Sequence, residues 1–458
     1  AYSNHSLFRL TGSFFNPGPY SGYLAITLPV ALGILLEQSK RNMPYYLSMG
    51  CIGTAIVVLP AGMSRSAWIA VVVSCAWVYA LYRLDRKQAA TRLRQHKRWY
   101  IIGGILGGIL LLGGSASLYT LKKDSADGRF LMWKITTKAI QKQPITGTSL
   151  GGFPAAYAET QAEYMASGKA TEQEKLVAGC PEYAFNEYLQ IGLEQGLVGL
   201  ALFIGWLGLL FYKGIKNKRY ACCGGLMSLA IFAFSSYPLQ LPEFWVVLIF
   251  LGVMSVTPDK DEIRENQAES NGHRWGKQIF FMGIAILGIG LFWMQKDHYK
   301  AYQQWNKAQM YYKNKAYEAA LEVYEPLYPL LKHKPEFLFE VAQCLSKTGR
   351  YEKANGYLER AVLLSSDPML YYVMAKNEQC LGEYRQAEKH LLHAIDILPE
   401  RIYPYYLLMN LYTEPSYFQP AKLKMAIDSV LTKKPKVESS AIKEMKEKAR
   451  SMLNNTSI

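Results

Sequence analysis

Charge is what this chain lacks over long stretches, and cysteine is what it lacks throughout. Residues 1–296 carry 28 Lys/Arg and 17 Asp/Glu, about 15%, whereas residues 297–458 carry 23 and 19, about 26%. The overall mean hydropathy of −0.02 is therefore the average of two unlike halves. Only 7 cysteines occur in 458 residues and none forms a C-x-x-C pair, which excludes a disulfide-built mini-domain and the common structural zinc spacings. Histidine is equally sparse, 7 in all. His5, His96, His273, His298, His333, His390 and His393 form no recognisable ligand set, so no metal and no cofactor is expected. The 50% hydrophobic and 13% aromatic content excludes disorder.

What is present instead is a set of uncharged runs. About 20 residues at 1.5 Å rise cross a bilayer core. Runs long enough to suggest spans lie at 10–36, 42–64, 66–82, 99–121, 195–212 and 220–242, with a shorter one at 244–257 and a last one at 278–295. The expectation is an all-α chain whose first part, 1–296, is a polytopic bundle of about eight spans. Lys/Arg bias in short loops orients it. The loop RLDRKQAATRLRQHKRW holds Arg83, Arg86, Lys87, Arg92, Arg94, Lys97 and Arg98 against Asp85, and KGIKNKR holds Lys213, Lys216, Lys218 and Arg219. With both on the cytoplasmic side, residues 1–17, the loop 122–185, the turn 238–243 and everything after about 296 fall outside. The net charge of +15 then reflects topology. No nucleic-acid motif accompanies the basic clusters, and none is expected as a partner. Because the first residue is Ala1 and no signal peptide precedes the outward N-terminus, the chain reads as a fragment whose upstream spans are missing. GGILGGILLLGG at 103–114 carries the spacing of close helix packing.

From 297 to 458 the pattern becomes periodic. Ala308, Ala342 and Ala375 are 34 and 33 residues apart, with Met409 34 further on; Tyr317, Tyr351 and Tyr384 keep the same spacing, as do Ala320, Ala354 and Ala387. Gly349 and Gly382 mark turns, and Pro335, Pro368 and Pro404 mark helix starts. A period near 34 with this small/aromatic pattern resembles tetratricopeptide (TPR) repeats, with a fourth unit at 401–433 and a cap at 436–454. A TPR solenoid binds proteins or peptides on its concave face, so this domain is expected to dock a protein partner.

The unusual polar residues of the first part gather on the outward side. FFNPGPYSGY (14–23) precedes the first span, and Arg65 in GMSRSAW opens the third. Arg129 in DGRFLMWK opens an amphipathic helix with Asp127 as N-cap. QPITGTSLGGF follows, then AFNEYLQIGLEQGLVGL with Asn186, Glu187, Tyr188 and Gln190, and then SSYPLQLPE with Gln240. This ordered set, R-x-x-x-W, P-x-x-G-x-x-x-G, N-E-Y-L-Q-I-x-x-E-x-G-x-x-G and Y-P-L-Q-x-P-E, resembles the O-antigen ligase/polymerase superfamily (Wzy C-terminal domain), some members of which end in TPR repeats. The resemblance implies a GT-C-like, metal-free, multi-pass protein of the bacterial inner membrane with a periplasmic TPR domain. It implies transfer of a glycan from undecaprenyl diphosphate to lipid A-core, another glycan or a protein hydroxyl.

The residues suit that chemistry on their own terms. A departing diphosphate needs cations, and charge-assisted bonds contribute about 1.5–3 kcal/mol each. An arginine at mid-bilayer would cost about 3 kcal/mol or more, so an interfacial pair is the economical placement. Arg65 and Arg129 are expected to bind the diphosphate, with Tyr188 and Gln240 as further substrate contacts. The family's usual histidine before the Asn of N-x-Y-L is Phe185 here, which cannot accept a proton. Glu187, with Asn186, is then the catalytic expectation, its pKa raised by desolvation; Glu182, Glu159 and Glu163 are the reserves. Polymerase and protein O-oligosaccharyltransferase are the neighbouring readings. A non-catalytic membrane scaffold for the TPR array is the reading from another class, and clustering of Arg65, Arg129, Asn186, Glu187 and Gln240 discriminates against it.

Overall fold

The computed structural model describes residues 11–14, 16–38, 40–62, 64–85, 123–258, 274–435 and 438–455, and side chains of 274–281 are outside that description. The expected span at 99–121, the glycine-rich 103–114, most of the first basic loop, and His5, His96 and His273 also lie outside the described residues. The described chain is all-helical, with no strand. By packing it falls into two compact units, one of residues 1–133, 143–147 and 183–271, the other of residues 134–142, 148–182 and 272–458.

Among the described residues of the first unit four helices are long and apolar enough to cross a membrane: Pro17–Glu37, Met43–Gly62, Arg65–Asp85 and Gly196–Lys216. Twenty-one residues reach about 31 Å. The uncharged runs at 220–242 and 244–257 correspond to shorter helices, Tyr220–Ala233 and Pro242–Val256. The difference has a local cause: the uncharged segment between them includes Ser235 and Ser236 followed by the 3₁₀ turn Pro238–Gln240, and two prolines there interrupt helical hydrogen bonding. Lack of charge marks immersion, not helicity.

The Pro17–Glu37 helix is the centre of this unit, packed against Met43–Val58, Arg65–Asp85 and Tyr220–Ala233. Its buried positions include Ser21, Gly22, Ala25, Pro29 and Gly33, a stripe of mostly small residues that admits close neighbours, as membrane bundles require. Ser228 Oγ donates to the Ala25 carbonyl across that seam at 2.7 Å. By contrast Leu202, Leu209, Val246, Phe250 and Val253 are exposed, the apolar outer face expected of helices that meet lipid tails. A second join holds the segment 143–147 on the start of the Gly196–Lys216 helix. Leu197 N–H donates to the Pro144 carbonyl at 2.8 Å. Gly147 (φ +68°) and Gly196 (φ +71°) face each other there, and a Cβ on Gly196 would sit 1.9 Å from the Ile145 oxygen. The glycines of the QPITG and LEQG strings are thus fixed by left-handed backbone at a close crossing.

The second unit contains the repeats as helix pairs: Lys296–Lys313 with Tyr317–Tyr324, Pro335–Lys347 with Tyr351–Ala361, Met369–Leu381 with Tyr384–Ile397, and Ile402–Tyr412 with Pro420–Thr432, followed by Ser440–Asn455. Ala308, Ala342, Ala375 and Met409 are at most 2% exposed, and Ala320, Ala354 and Ala387 are fully buried, so the sequence landmarks are the contact positions of the hairpins. Gly349 and Gly382 take the left-handed turn (φ +79° and +80°). The first unit of the array fills the same register with Lys315 at φ +61°, 34 residues before Gly349. A lysine there is strained, whereas glycine is not. Lys315→Gly is expected to raise stability by about 0.5–1 kcal/mol, measurable as a higher urea midpoint of the repeat transition; a lower midpoint would contradict the register.

Residues 148–182 contribute the helices Phe153–Ala166 and Glu172–Val177 to the same unit. Thr171 and Glu174 form a reciprocal capping box. Gln161, fully buried, donates to the Gly179 and Ile397 carbonyls at 3.1 and 2.8 Å, and Ser366 Oγ donates to the Pro181 carbonyl at 3.1 Å.

Candidate functional site

Three pieces of backbone converge outside the spans of the first unit: the first half of the Lys123–Lys142 helix, the strap 183–186 that leads into the Glu187–Glu194 helix, and the 235–241 turn. Asp127 does not cap the first of these, because the helix already begins at Lys123 and Asp127 lies within it; the expectation of an N-cap placed the start five residues late. Arg129 is consequently one turn further in, held rather than free. Its guanidinium donates to the Ser235 carbonyl at 2.8 Å and lies over the Phe185 ring, 5.3 Å from the centroid. Four residues on, Trp133 Nε1 donates to the Ala184 carbonyl at 3.2 Å, so one helix face carries both the cation and the bond that pins the strap.

Burial lowers the Arg129 pKa from its ordinary value, and the positive field of Arg65 lowers it further, while Tyr237 acts the other way. Arginine remains cationic under such shifts. The two arginines picked from the sequence, 64 positions apart, are therefore within electrostatic reach of each other, and both are half-buried. Like charges in that setting raise the energy of the empty site and favour an anion that bridges them.

Around them is an aromatic wall. The Tyr237 ring stacks on Tyr183 at 5.3 Å and 19°, and meets Phe185 edge-on at 4.9 Å. Asn16, whose Oδ1 caps the Pro17–Glu37 helix through Gly18 N–H at 2.9 Å, uses its Nδ2 to donate to the Tyr237 hydroxyl at 3.2 Å. Phe185 has φ +49°, a left-handed setting that costs a bulky residue energy and recurs where function over-determines the backbone. A phenylalanine here accepts no proton and supplies a π-face for Arg129.

Asn186 is the N-cap of the Glu187–Glu194 helix: Oδ1 accepts from Tyr188 and Leu189 N–H at 3.0 and 3.1 Å. Asn186→Ala should lower stability by about 1 kcal/mol; an unchanged melting temperature would argue against the cap. Glu187 itself is 1% exposed. Its Oε1 accepts from Leu239 N–H at 2.6 Å and its Oε2 from Gln240 Nε2 at 3.1 Å. Burial raises its pKa to about 7, against the pull of those hydrogen bonds and with a push from Glu194. Gln190 locks the base of the strap by accepting from Ala184 N–H at 2.7 Å and donating to Glu194 at 2.9 Å.

The structure thus brings Arg65, Arg129, Asn186, Glu187 and Gln240 into one neighbourhood. Tyr188 stands to one side: its hydroxyl donates to the Ala230 carbonyl at 2.9 Å, and its ring lines an apolar groove of about 400 Å³ with Ser66, Ile69, Ile231, Phe234 and Ser235. The groove runs between the neighbours of the two arginines, Ser66 next to Arg65 and Ser235 bonded to Arg129. Glu159 and Glu163 belong to the other unit, where they meet His393 at 3.5 Å and Lys142 at 2.7 Å. Among the described residues no group of His, Cys, Asp and Glu could hold a metal ion. Sequence reasoning passed over Asn16, Tyr183, Tyr237 and the use of Phe185. Asn16 and Tyr237 lay inside strings already singled out, and only the fold shows that 221 positions apart they touch.

A family description, O-antigen ligase, matches residues 50–204, a segment that includes both arginines and the Asn186–Tyr188 triplet. Residues 313–394 match the family of anaphase-promoting complex (cyclosome) subunit 3. Among solved structures, the crystal structure of MamA protein is similar at 16% identity over 34% of this chain and 88% of that one, with a TM-score of 0.25. No curated protein matches the sequence.

Proposed function

From the match of residues 50–204 to the O-antigen ligase family, we propose that this membrane protein transfers a glycan from undecaprenyl diphosphate to an acceptor on the periplasmic face of the bacterial inner membrane. The observation that carries the reading is Arg129, held by the Ser235 carbonyl and the Phe185 ring within electrostatic reach of Arg65, beside an apolar groove lined by Ser66 and Ser235. A polyprenyl diphosphate has the matching parts: a hydrocarbon chain for the groove and a dianionic head for the guanidinium groups.

In the transfer the bond between the sugar's anomeric carbon and the diphosphate oxygen breaks, and the electron pair leaves with the diphosphate. Arg65 and Arg129 neutralise that developing charge, which is the electrostatic stabilisation of a leaving group. The acceptor hydroxyl forms the new bond to the anomeric carbon and gives up its proton to the departing diphosphate, whose freed oxygen can carry it, or to water. The Tyr237–Tyr183 stack offers a flat apolar surface to a sugar ring beside the arginines. Glu187 acts as a positioning residue: buried, with both oxygens engaged, it ties the 235–241 turn to the Glu187–Glu194 helix and so holds Ser235 under Arg129.

The scaffold reading predicts dispersed polar side chains on the outward side, and the clustering favours the enzyme over it. The TPR unit serves to dock a protein partner of the transfer. Among the products, ligation, polymerisation and protein glycosylation differ in what accumulates when the gene is deleted. Unligated lipid-linked polymer supports a ligase, single-repeat glycans a polymerase, and loss of glycoproteins a protein transferase. An unchanged profile of surface glycans, glycoproteins and lipid-linked glycans would contradict glycan transfer altogether.

A further inference from the structure

The repeat unit contains a cavity of about 610 Å³, within the ~300–1,000 Å³ typical of small-molecule sites. It lies where three successive repeats present the same register: the starts of Pro335–Lys347, Met369–Leu381 and Ile402–Tyr412 all contribute to its wall, and Cys180 and Glu182 close one side. Among its lining residues is Tyr372, 5% exposed, whose buried hydroxyl has no hydrogen-bond partner. Buried polar groups are nearly always paired, so an orphan of this kind asks what normally satisfies it. The groups whose fields reach that phenol, Cys180, Arg401, Asp367 and Tyr403, all line the same cavity.

The lining indicates what would enter. Three carboxylates, Glu182, Glu336 and Asp367, face one guanidinium, Arg401. Three helix N-termini add about half a positive charge each, and Asp367 is partly spent as a cap, accepting from Met369 N–H at 2.9 Å. Lys376, outside the lining, donates to the hydroxyl of the lining Tyr403 at 2.6 Å and so brings a further positive charge near it. The signs come close to cancelling, which favours neither an anion nor a cation. The rings of Phe339, Tyr372 and Tyr403 supply apolar faces, with Tyr372 and Tyr403 perpendicular at 5.3 Å. Carboxylates, serine hydroxyls and a phenol supply acceptors and donors between them. That combination fits a ligand with apolar ring faces, many hydroxyls and no charge.

We propose that this cavity is a saccharide-binding site that takes a neutral sugar unit of the glycan being transferred. The choice of glycan rests on the transfer reading above; the cavity, its orphan hydroxyl and its charge balance do not. Binding here would retain a glycan on the protein at a place separate from the arginine pair.

The full chain, purified in a non-glycosidic detergent, is applied to an array of neutral oligosaccharides, anionic oligosaccharides and oligolysine peptides. The expected result is retention of neutral saccharides, reduced at least tenfold in Tyr403→Ala and about three- to tenfold in Tyr372→Phe. The second variant removes only the unpaired hydroxyl, so its ligand-free melting temperature should equal or exceed that of the parent, which separates loss of binding from loss of fold. Arg129→Ala should leave retention unchanged, so failure of the transfer reading and failure of this site give different results. No neutral saccharide retained, retention untouched by both tyrosine variants, retention abolished by Arg129→Ala, or preference for oligolysine or anionic glycans would each overturn the proposal.

Discussion

Arg129→Ala is expected to lower the proposed glycan transfer by roughly a hundredfold or more while the protein still inserts and folds. The side chain is held at 2.8 Å by the Ser235 carbonyl and seated over Phe185, so its direction is fixed before a donor arrives. Two charge-assisted bonds to a departing diphosphate, at about 1.5–3 kcal/mol each, correspond to at least two powers of ten in rate at about 1.4 kcal/mol per tenfold. Folding is affected far less. Losing the Ser235 bond and the ring contact costs about 1 kcal/mol each, and removing a cation from beside Arg65 returns part of it. Arg129→Lys keeps the charge but loses the planar fork and the stacking, so transfer should fall between the two, about tenfold. Single-turnover transfer in reconstituted membranes measures this. Full activity of Arg129→Ala, shown to be correctly inserted, would remove the diphosphate site from the account.

The second large effect concerns Glu187 and pH. Its carboxyl is raised from the usual 4.5 to about 7 by burial. The neutral form is therefore the one the fold prefers. Its contribution to stability is complete below about pH 4.5, is lost as pH rises toward 7, and by pH 8 is absent, a change on the order of 3 kcal/mol. Glutamine keeps the shape and stays neutral, so Glu187→Gln should match the parent near pH 4.5 and exceed it by a growing margin up to pH 8. Thermal melts across that range read the difference directly; parallel curves would mean the carboxyl is not buried as described. The same variant separates two roles. If Glu187 holds the turn, Glu187→Gln keeps transfer within about threefold at pH 7, because amide and carboxyl can both bridge Leu239 and Gln240. If Glu187 took the acceptor's proton, the loss would be about 10²–10⁴-fold. Glu187→Ala, which frees the turn, should lose transfer under the positioning role as well.

Much of this was legible before any coordinates. The 34-residue period located the buried contacts of the repeat hairpins, because small residues at fixed intervals are what close helix pairs require. The two arginines stood out because cations at the outward ends of apolar segments are rare and costly. What the sequence concealed depends on geometry that spacing does not encode. An uncharged run conceals the break at Ser235–Leu241, since hydropathy measures solvent preference and not backbone shape. Asp127 resembles a cap, yet a helix can start earlier than its best capping residue when tertiary contacts such as Trp133 to Ala184 hold it. Phe185 stood out only as a missing histidine; its left-handed backbone and its place under Arg129 emerge from the fold. Glu187 was singled out for a raised pKa, which its burial produces; that both its oxygens are engaged by the 235–241 turn, the ground on which a positioning role is proposed, emerges only from the fold. Lys315 shows the opposite case, where the repeat register identifies a strained residue that composition alone would pass over.

The central claim is that Arg65 and Arg129 together bind a lipid diphosphate, and donor binding tests it most directly. Undecaprenyl diphosphate and undecaprenyl monophosphate are titrated into the protein in nanodiscs, with the parent compared to the Arg65→Ala/Arg129→Ala double variant. The parent is expected to bind the diphosphate at least tenfold more tightly than the monophosphate, and the double variant to lose that preference. Equal affinity of parent and double variant for the diphosphate would contradict it.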